Sequence, residues 1–82
     1  MSAHHPAMVC ATFVDQIRRA IDAHPVTRSE VAAALGISRS TLARRLAGGH
    51  PFFVDKLVHL SNLLGVELSD LMRRAEETVA AR

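Results

Sequence analysis

The amino-acid sequence predicts an all-α protein that folds as one compact domain of five helices. Apolar residues recur at steps of three and four along most of the chain, which is the period of one face of an α-helix. Aromatic residues make up only 4% of the chain, and Ala, Leu and Arg are frequent, so the composition favours helices over strands. A chain of 82 residues can build one small hydrophobic core.

The first predicted helix spans about Met8–Ala23, and residues 1–7 before it are expected to form a flexible N-terminal arm. Phe13 and Ile17 lie four residues apart and mark the inner face of this helix. Pro25 ends it, because proline disfavours helical geometry in the residue that precedes it.

Cysteine, arginine and histidine residues in or near this helix each have a functional and a simpler structural interpretation. Cys10 lies on the apolar face and is expected to be a small core residue, the alternative being an exposed, redox-relevant thiol. Arg18 and Arg19 are expected to form a solvated face, with phosphate contacts as the alternative. His4 and His5 form no established metal-ligand spacing with the cysteine, so no metal site is predicted.

The second predicted helix, about Arg28–Leu35, has a recognisable start and end. Thr27 and Glu30 form a capping box, in which hydroxyl and carboxylate each accept a hydrogen bond from a backbone N–H group. Gly36 follows the helix where a left-handed residue is required. Ala32 either allows another helix to approach closely or is present only as a good helix former.

The third predicted helix runs from about Arg39 to Ala47, and Ser38 is its expected N-cap. Leu42 and Leu46 are four residues apart, so they lie on one face and attach the helix to the core. The remaining face of the helix is polar and basic. Two short helices joined by a tight turn are therefore expected at the centre of the chain.

A loop with two glycines leads to a fourth helix, about Phe53–Leu64, which Gly65 closes. We expect Phe52 or Phe53 to fill the edge of the core, and four residues of the fourth helix to be buried: Val54, Leu57, Leu60 and Leu64. A fifth helix begins after Val66 and runs to about Ala80. Its apolar stripe has no evident internal partner and consists of Met72, Ala75 and Val79.

The spacing of small, glycine and apolar residues in the centre of the chain resembles the lambda repressor/Cro-like, or xenobiotic-response-element (XRE), helix-turn-helix family. The residues that carry the resemblance are Ala32, Leu35, Gly36, Ile37, Ser38 and Leu42, and residues 60–72 resemble the family's fourth helix and the start of its fifth. The resemblance covers roughly Phe13–Met72 and implies a compact five-helix lambda-repressor-like DNA-binding domain, residues 8–80, with the helix-turn-helix at helices two and three. Arg45 departs from the pattern, since the family usually has an apolar residue there; Leu46 is expected to take its place.

The resemblance implies sequence-specific binding of double-stranded DNA through the third helix in the major groove. The net charge is only +2, but basic residues concentrate between Ser38 and Lys56, as phosphate binding requires. The expected base contacts are Ser38, Arg39, Ser40, Thr41 and Arg44. The expected phosphate contacts are Arg28, Arg45, Gly49, His50 and Lys56, with a C-cap role as the alternative for the glycines.

The expected role is that of a small repressor that binds an inverted repeat as a homodimer. Because the family often dimerises through its C-terminal helical region, the stripe at Met72, Ala75 and Val79 is the candidate interface; a frayed tail is the alternative. Activator, antitoxin and phage-type regulator stay open. The protein is expected to be bacterial or phage-encoded. Its expected location is the cytoplasm, because the apolar run 8–14 is too short to cross a membrane and lacks the basic lead-in of a secretory signal.

A second hypothesis is a protein-interaction module on the same fold, such as an anti-repressor or a toxin–antitoxin adaptor. Such a module would expose apolar residues on the third helix, where this chain has arginines and hydroxyls. Enzymatic activity is not expected, because the histidines fall in no nucleophile elbow, metal-ligand pair or phosphate loop. No cofactor, small-molecule ligand or membrane partner is predicted.

Overall fold

The computed structural model describes residues 6–81, which form five α-helices and, within that range, no strand. The helices are α1 (Pro6–Ala23), α2 (Arg28–Leu35), α3 (Arg39–Leu46), α4 (Val54–Leu64) and α5 (Leu68–Ala80). The predicted all-α, five-helix fold is confirmed. Because α1 begins at Pro6, residues 6 and 7 of the expected arm are helical. The rest of the arm, with His4 and His5, lies outside the described residues.

The core is built from buried side chains of all five helices. α1 packs along α5 and also against α3, α2 packs against both α3 and α4, and α4 packs against α5. The buried apolar side chains of this core are Phe13, Ile17, Ile21, Val31, Ala32, Leu35, Leu42, Leu46, Leu60, Leu64, Leu71 and Ala75. The first and last helices together thus hold the central helices in place.

The predicted capping box of α2 is present with both of its hydrogen bonds. The backbone N–H of Glu30 donates to Thr27 Oγ1 at 3.1 Å, and the backbone N–H of Thr27 donates to Glu30 Oε1 at 2.9 Å. This backbone hydrogen bond lowers the pKa of the Glu30 carboxyl. Gly36 follows with a left-handed φ of 71°, which allows the sharp turn into α3.

The third helix is attached to the core as the sequence predicts. Leu42 and Leu46 are 1% and 2% exposed, so Leu46 fills the apolar position that Arg45 leaves open. Ala32 on α2 is 2% exposed and lies in the same core. Ser38 caps α3, because its Oγ accepts a hydrogen bond from the backbone N–H of Thr41 at 3.1 Å.

Two expectations about buried residues are wrong. Cys10 is exposed, because it lies nearly one turn before Phe13, where the buried stripe of α1 begins. It lines an open groove of about 550 Å³ whose walls also include Phe52 and Met72. Val54 is 73% exposed, since it is the first residue of α4 and precedes the turn at which that helix begins to bury side chains.

The two neighbouring phenylalanines before α4 differ in burial. Phe52 is half-buried and packs against the core, as one of the two was expected to do. Phe53 is 61% exposed. The edge of the core is therefore closed by Phe52, and the ring of Phe53 lies at the surface beside the end of α3.

The apolar stripe of α5 has an internal partner, so the expectation that it lacks one is wrong. Ala75 is fully buried and Val79 is 8% exposed, because α5 packs along α1. Met72 is 36% exposed and is the one member of the stripe that reaches the surface. Neither Ala75 nor Val79 is available on the single chain as an open interface.

Candidate nucleic-acid interface

The outward face of α3 carries polar and basic side chains in its first two turns. Arg39, Ser40 and Arg44 are exposed, and Thr41 is half-buried. Within residues 6–81, the side chain of Arg39 forms no hydrogen bond or ion pair. Arg44 donates a long hydrogen bond of 3.4 Å to Thr41 Oγ1, which aligns its guanidinium along the helix surface.

Ser38, at the start of α3, uses its hydroxyl within the helix. Its Oγ accepts from the backbone N–H of Thr41, donates to Thr41 Oγ1 at 2.8 Å and lies 3.2 Å from Ser40 Oγ. A base contact by Ser38 would compete with this cap. The exposed donors of this face are therefore Arg39, Ser40 and Arg44.

Arg45 lies on the side of α3 that faces the following loop. Its guanidinium carbon is 5.5 Å from the ring centroid of Phe53 and 6.0 Å from that of Phe52, within the range of cation–π attraction. Its Nη1 atom is buried and, within residues 6–81, has no hydrogen-bond partner. The two rings thus hold the charge of Arg45 at the junction of α3 and the loop.

The loop after α3 ends the helix in a Schellman motif. The backbone N–H of Gly49 donates to Arg44 O at 3.0 Å, and that of Gly48 donates to Arg45 O at 3.1 Å. Gly48 has a left-handed φ of 85°. The N–H of Gly49 is thus occupied, so the C-cap alternative applies to this residue rather than an open phosphate donor. His50 follows and is exposed.

Two other expected phosphate contacts are engaged elsewhere. Arg28, the first residue of α2, forms an exposed ion pair with Asp22, with Nη2 and Oδ1 3.1 Å apart. Lys56 is half-buried and donates from Nζ to Leu35 O, the last carbonyl of α2, at 2.8 Å. In this structure Lys56 therefore caps a helix.

One depression brings together residues from both predicted sets. It has a volume of about 270 Å³, and its walls include Thr41, Arg44, Arg45, His50 and Phe53. No acidic residue is among those that line it. A negatively charged group beside α3 would meet two guanidinium groups there. Arg28 and Lys56 are not part of this depression.

Sequence reasoning missed the contact that joins α1 to the end of α3. Arg18 Nη1 donates to Leu46 O at 2.8 Å, and Arg18 Nη2 donates to Asp15 Oδ1 at 2.7 Å. The other oxygen of this carboxylate, Asp15 Oδ2, accepts from Arg19 Nε at 3.0 Å. The bond from Arg18 is the leading cause of a lowered pKa of the Asp15 carboxyl. The sequence shows only that Arg18 and Arg19 follow Asp15 by three and four residues, about one helical turn.

Residues 6–81 contain no group of three or more His, Cys, Asp and Glu side chains that could hold a metal ion. No helix in that range has the length and apolar character needed to cross a membrane.

Comparison with known protein families gives one match. A family model described as helix-turn-helix matches residues 17–71, which include α2, α3 and α4 entirely and part of each outer helix. Searches of curated proteins and of solved structures gave no significant match. The match covers more than half of the chain and includes the two helices of the motif, α2 and α3. The chain therefore belongs to the XRE/lambda repressor-like helix-turn-helix family of DNA-binding transcription regulators.

Proposed function

We propose that this chain is a sequence-specific repressor that binds an inverted repeat in double-stranded DNA as a homodimer. The observation that supports this most is the division of α3 into two faces. Leu42 and Leu46 fix one face in the core, while Arg39, Ser40 and Arg44 are exposed on the rest of the helix. A helix held in this way can enter a major groove with its donors directed at base edges.

Arg39 and Arg44 are the proposed determinants of sequence. A guanidinium can donate two parallel hydrogen bonds to O6 and N7 of a guanine, and such a pair contributes about 1–3 kcal/mol of discrimination. Ser40 and Thr41 have one hydroxyl each and contribute less. Ser38 would contact a base only by giving up part of its cap.

The proposed phosphate contacts are Arg45 and His50, with Arg28 at the start of α2, whose exposed ion pair with Asp22 is weak enough to be exchanged for a phosphate. Arg45 and His50 line the same depression as Arg44, so one backbone phosphate there would lie close to the base-contacting side chains. Contacts of this kind set the position of the protein on DNA but carry no sequence information. Lys56 and Gly49 are left out of this set because Lys56 Nζ is held at Leu35 O, where it caps α2, and the N–H of Gly49 is bonded to Arg44 O.

A dimer follows from the size of the site. One short helix contacts too few base pairs for a unique operator, and two related helices would contact half-sites about 34–36 Å apart. Bound in this way, in a bacterial or phage-infected cytoplasm, the dimer would exclude RNA polymerase from a promoter. Met72 is the exposed residue left from the stripe first considered for the interface.

A protein-interaction module is the alternative, and one observation favours it. Phe53, Val54 and Val58 are 61%, 73% and 46% exposed at the start of α4, beside the basic depression. Apolar side chains exposed together are typical of protein contacts. The outward face of α3 itself is polar, which favours DNA as the partner of that helix.

The test is selection of binding sites from random double-stranded DNA at near-physiological salt. It compares the wild type with Arg39→Ala, Arg44→Ala and the matched control Arg74→Ala, which removes an exposed positive charge from α5. We expect the wild type to enrich an inverted repeat. Each α3 variant should lose preference at one base pair per half-site by roughly 5- to 150-fold, equivalent to about 1–3 kcal/mol. The control should keep the same preferred sequence.

Two results would contradict the proposal. Equal loss of preference in Arg74→Ala would mean that overall charge, and not the face of α3, determines binding. Absence of any enriched sequence in the wild type, with weak binding that disappears steeply as salt is raised, would leave only non-specific attraction to phosphates. The protein-interaction hypothesis would then lead.

A further inference from the structure

The hydrogen bonds at the end of α3 account for all of its last carbonyl groups. A helix leaves its last four carbonyls without a partner inside the helix. Three of them, in Ala43, Arg44 and Arg45, accept bonds of 2.9–3.1 Å from backbone N–H groups of residues 47–49. The fourth, Leu46 O, accepts from Arg18 Nη1 at 2.8 Å. This last bond is the one that comes from outside the motif and its loop.

Arg18 is itself held in place by a carboxylate. Asp15 bonds Arg18 through one oxygen at 2.7 Å and Arg19 through the other at 3.0 Å. The Arg18 side chain is 39% exposed, whereas that of Arg19 is 75% exposed. The Arg18 guanidinium thus donates to a neighbour on α1 and to the end of α3 at the same time.

The same arrangement occurs on the other helix of the motif. Leu35 O, the last carbonyl of α2, accepts from Lys56 Nζ of α4 at 2.8 Å. Both helices of the motif therefore end on a cation supplied by a helix outside it. A positive charge there also meets the partial negative charge at a helix C-terminus.

We propose that Arg18 is a positioning residue that fixes the tilt of α3 and acts on DNA binding without contacting DNA. The proposal rests on the proposed function. Leu42 and Leu46 hold one face of α3 against the core through their side chains, and Leu46 O links the backbone at the C-terminal end of the helix to α1. Loss of this bond would let the C-terminal end shift and so change the tilt of the helix.

The lever arm of the helix gives the expected size of the effect. Arg39 and Leu46 are at opposite ends of α3, which places them about 10 Å apart at 1.5 Å per residue. A tilt of about 10° at one end would move the other by about 2 Å. Hydrogen bonds between nitrogen and oxygen form between about 2.7 and 3.2 Å, so such a shift breaks a base contact. Phosphate contacts through long side chains tolerate it better.

The test uses three variants and two measurements. Arg18→Met removes the bond to Leu46 O, and Arg18→Lys keeps a cation that can reach the carbonyl. Arg19→Met is the matched control, because it removes the same charge and another bond to Asp15, whereas within residues 6–81 the hydrogen bond of Arg19 is to Asp15 and not to α3. The first measurement is amide hydrogen exchange of residues 47–49 without DNA. The second is affinity for the selected site and for unrelated DNA over a range of salt concentrations.

We expect Arg18→Met to speed exchange at residues 47–49 roughly fivefold or more over the control, since these amides bond the same helix end. We also expect the ratio of specific to non-specific affinity of Arg18→Met to fall about fivefold or more relative to the control. The salt dependence of DNA binding should be the same in Arg18→Met and Arg19→Met. Arg18→Lys should recover a large part of both. Folding of every variant is checked beforehand by circular dichroism.

Exchange in Arg18→Met equal to that in Arg19→Met would overturn the proposal without reference to DNA. A salt slope lower than that of the control by about 0.9 would make Arg18 a phosphate contact and would also overturn it. If the wild type selects no site, the proposed function fails. The exchange measurement then still decides whether Arg18 fixes the end of α3.

Discussion

Gly48 and Gly49 are neighbours after α3, yet they are expected to respond in opposite directions to replacement by alanine. Gly48 has a φ of 85°, and a Cβ added there would meet no atom within 4 Å. The cost of Gly48→Ala is therefore the backbone strain alone, about 1–2 kcal/mol. Alanine also restricts the unfolded chain, which offsets about 0.4–1 kcal/mol. The net expectation is a loss of roughly 0.5–1 kcal/mol.

Gly49 does not have a left-handed φ, and an added Cβ would lie 3.5 Å from Arg44 O, an ordinary contact distance. Gly49→Ala keeps the N–H that bonds Arg44 O, so the effect on the unfolded chain decides the sign. The expected gain is about 0.4–1 kcal/mol. The two variants should differ by about 1–2 kcal/mol, or roughly 5–15 °C in Tm for a domain of this size.

Thermal unfolding followed by circular dichroism, together with urea titration, measures this difference. The urea slope should be the same in both variants, so that a shift in midpoint reports stability. Equal stability of Gly48→Ala and Gly49→Ala would refute the assignment of the left-handed residue. A reversed order would mean that α3 ends one residue later than described.

Two further predictions concern the packing of α2 and the charge cluster on α1. Ala32→Leu should lower the free energy of unfolding by about 1–3 kcal/mol, because Ala32 is 2% exposed and a larger side chain would have to displace its core neighbours. Ala33 is exposed, so Ala33→Leu should change the free energy of unfolding little. Equal effects of the two substitutions in urea titrations would support the alternative that Ala32 is only a good helix former. Asp15→Asn should destabilise the protein near pH 7. The bonds from Arg18 and Arg19 lower the pKa of Asp15 in the folded state. The ionised carboxylate therefore stabilises the fold above the unfolded pKa of about 4. That stabilisation is lost as the pH falls through the lower, folded pKa. The difference in free energy of unfolding between Asp15→Asn and the wild type should therefore disappear in strongly acidic solution. A difference that stays constant in measurements down to about pH 2 would contradict this prediction.

The helix boundaries could be predicted because their signals lie within a few residues of each end. Thr27 and Glu30 close a hydrogen-bonded ring three residues apart, and Ser38 bonds an N–H three residues ahead. Gly36 and Gly65 have left-handed φ values of 71° and 66°, as their places after an apolar run suggested. Such features depend little on the rest of the fold, so the chain itself reveals them.

The fate of an apolar stripe could not be predicted in the same way, because it depends on which other helix lies across it. Ala75 and Val79 were expected to be open, but α1 covers them. Cys10 was expected to be covered and is not. Helical spacing shows that a face exists, but it does not show how far along each helix the partner extends.

The basic side chains show a second limit of sequence reasoning. Lys56 was expected to bind phosphate and Arg18 to be solvated, yet each donates to the terminal carbonyl of a helix distant in the chain. Both a phosphate and a helix C-terminus offer oxygens with negative charge. The sequence shows that a donor is present, but three-dimensional structure is needed to decide which oxygen it meets.

The two cations at the ends of α2 and α3 limit how far the motif can act as an independent unit. Each of these helices has only eight residues, and isolated helices shorter than about 12–15 residues are marginal in water. A peptide of residues 27–49 would keep its caps and its glycines but would leave Arg18 and Lys56 behind. The exposed face of α3, which we propose contacts bases, could be copied onto another scaffold residue by residue and still point in the wrong direction. A successful graft would need two positive charges supplied by the host, one at each helix end.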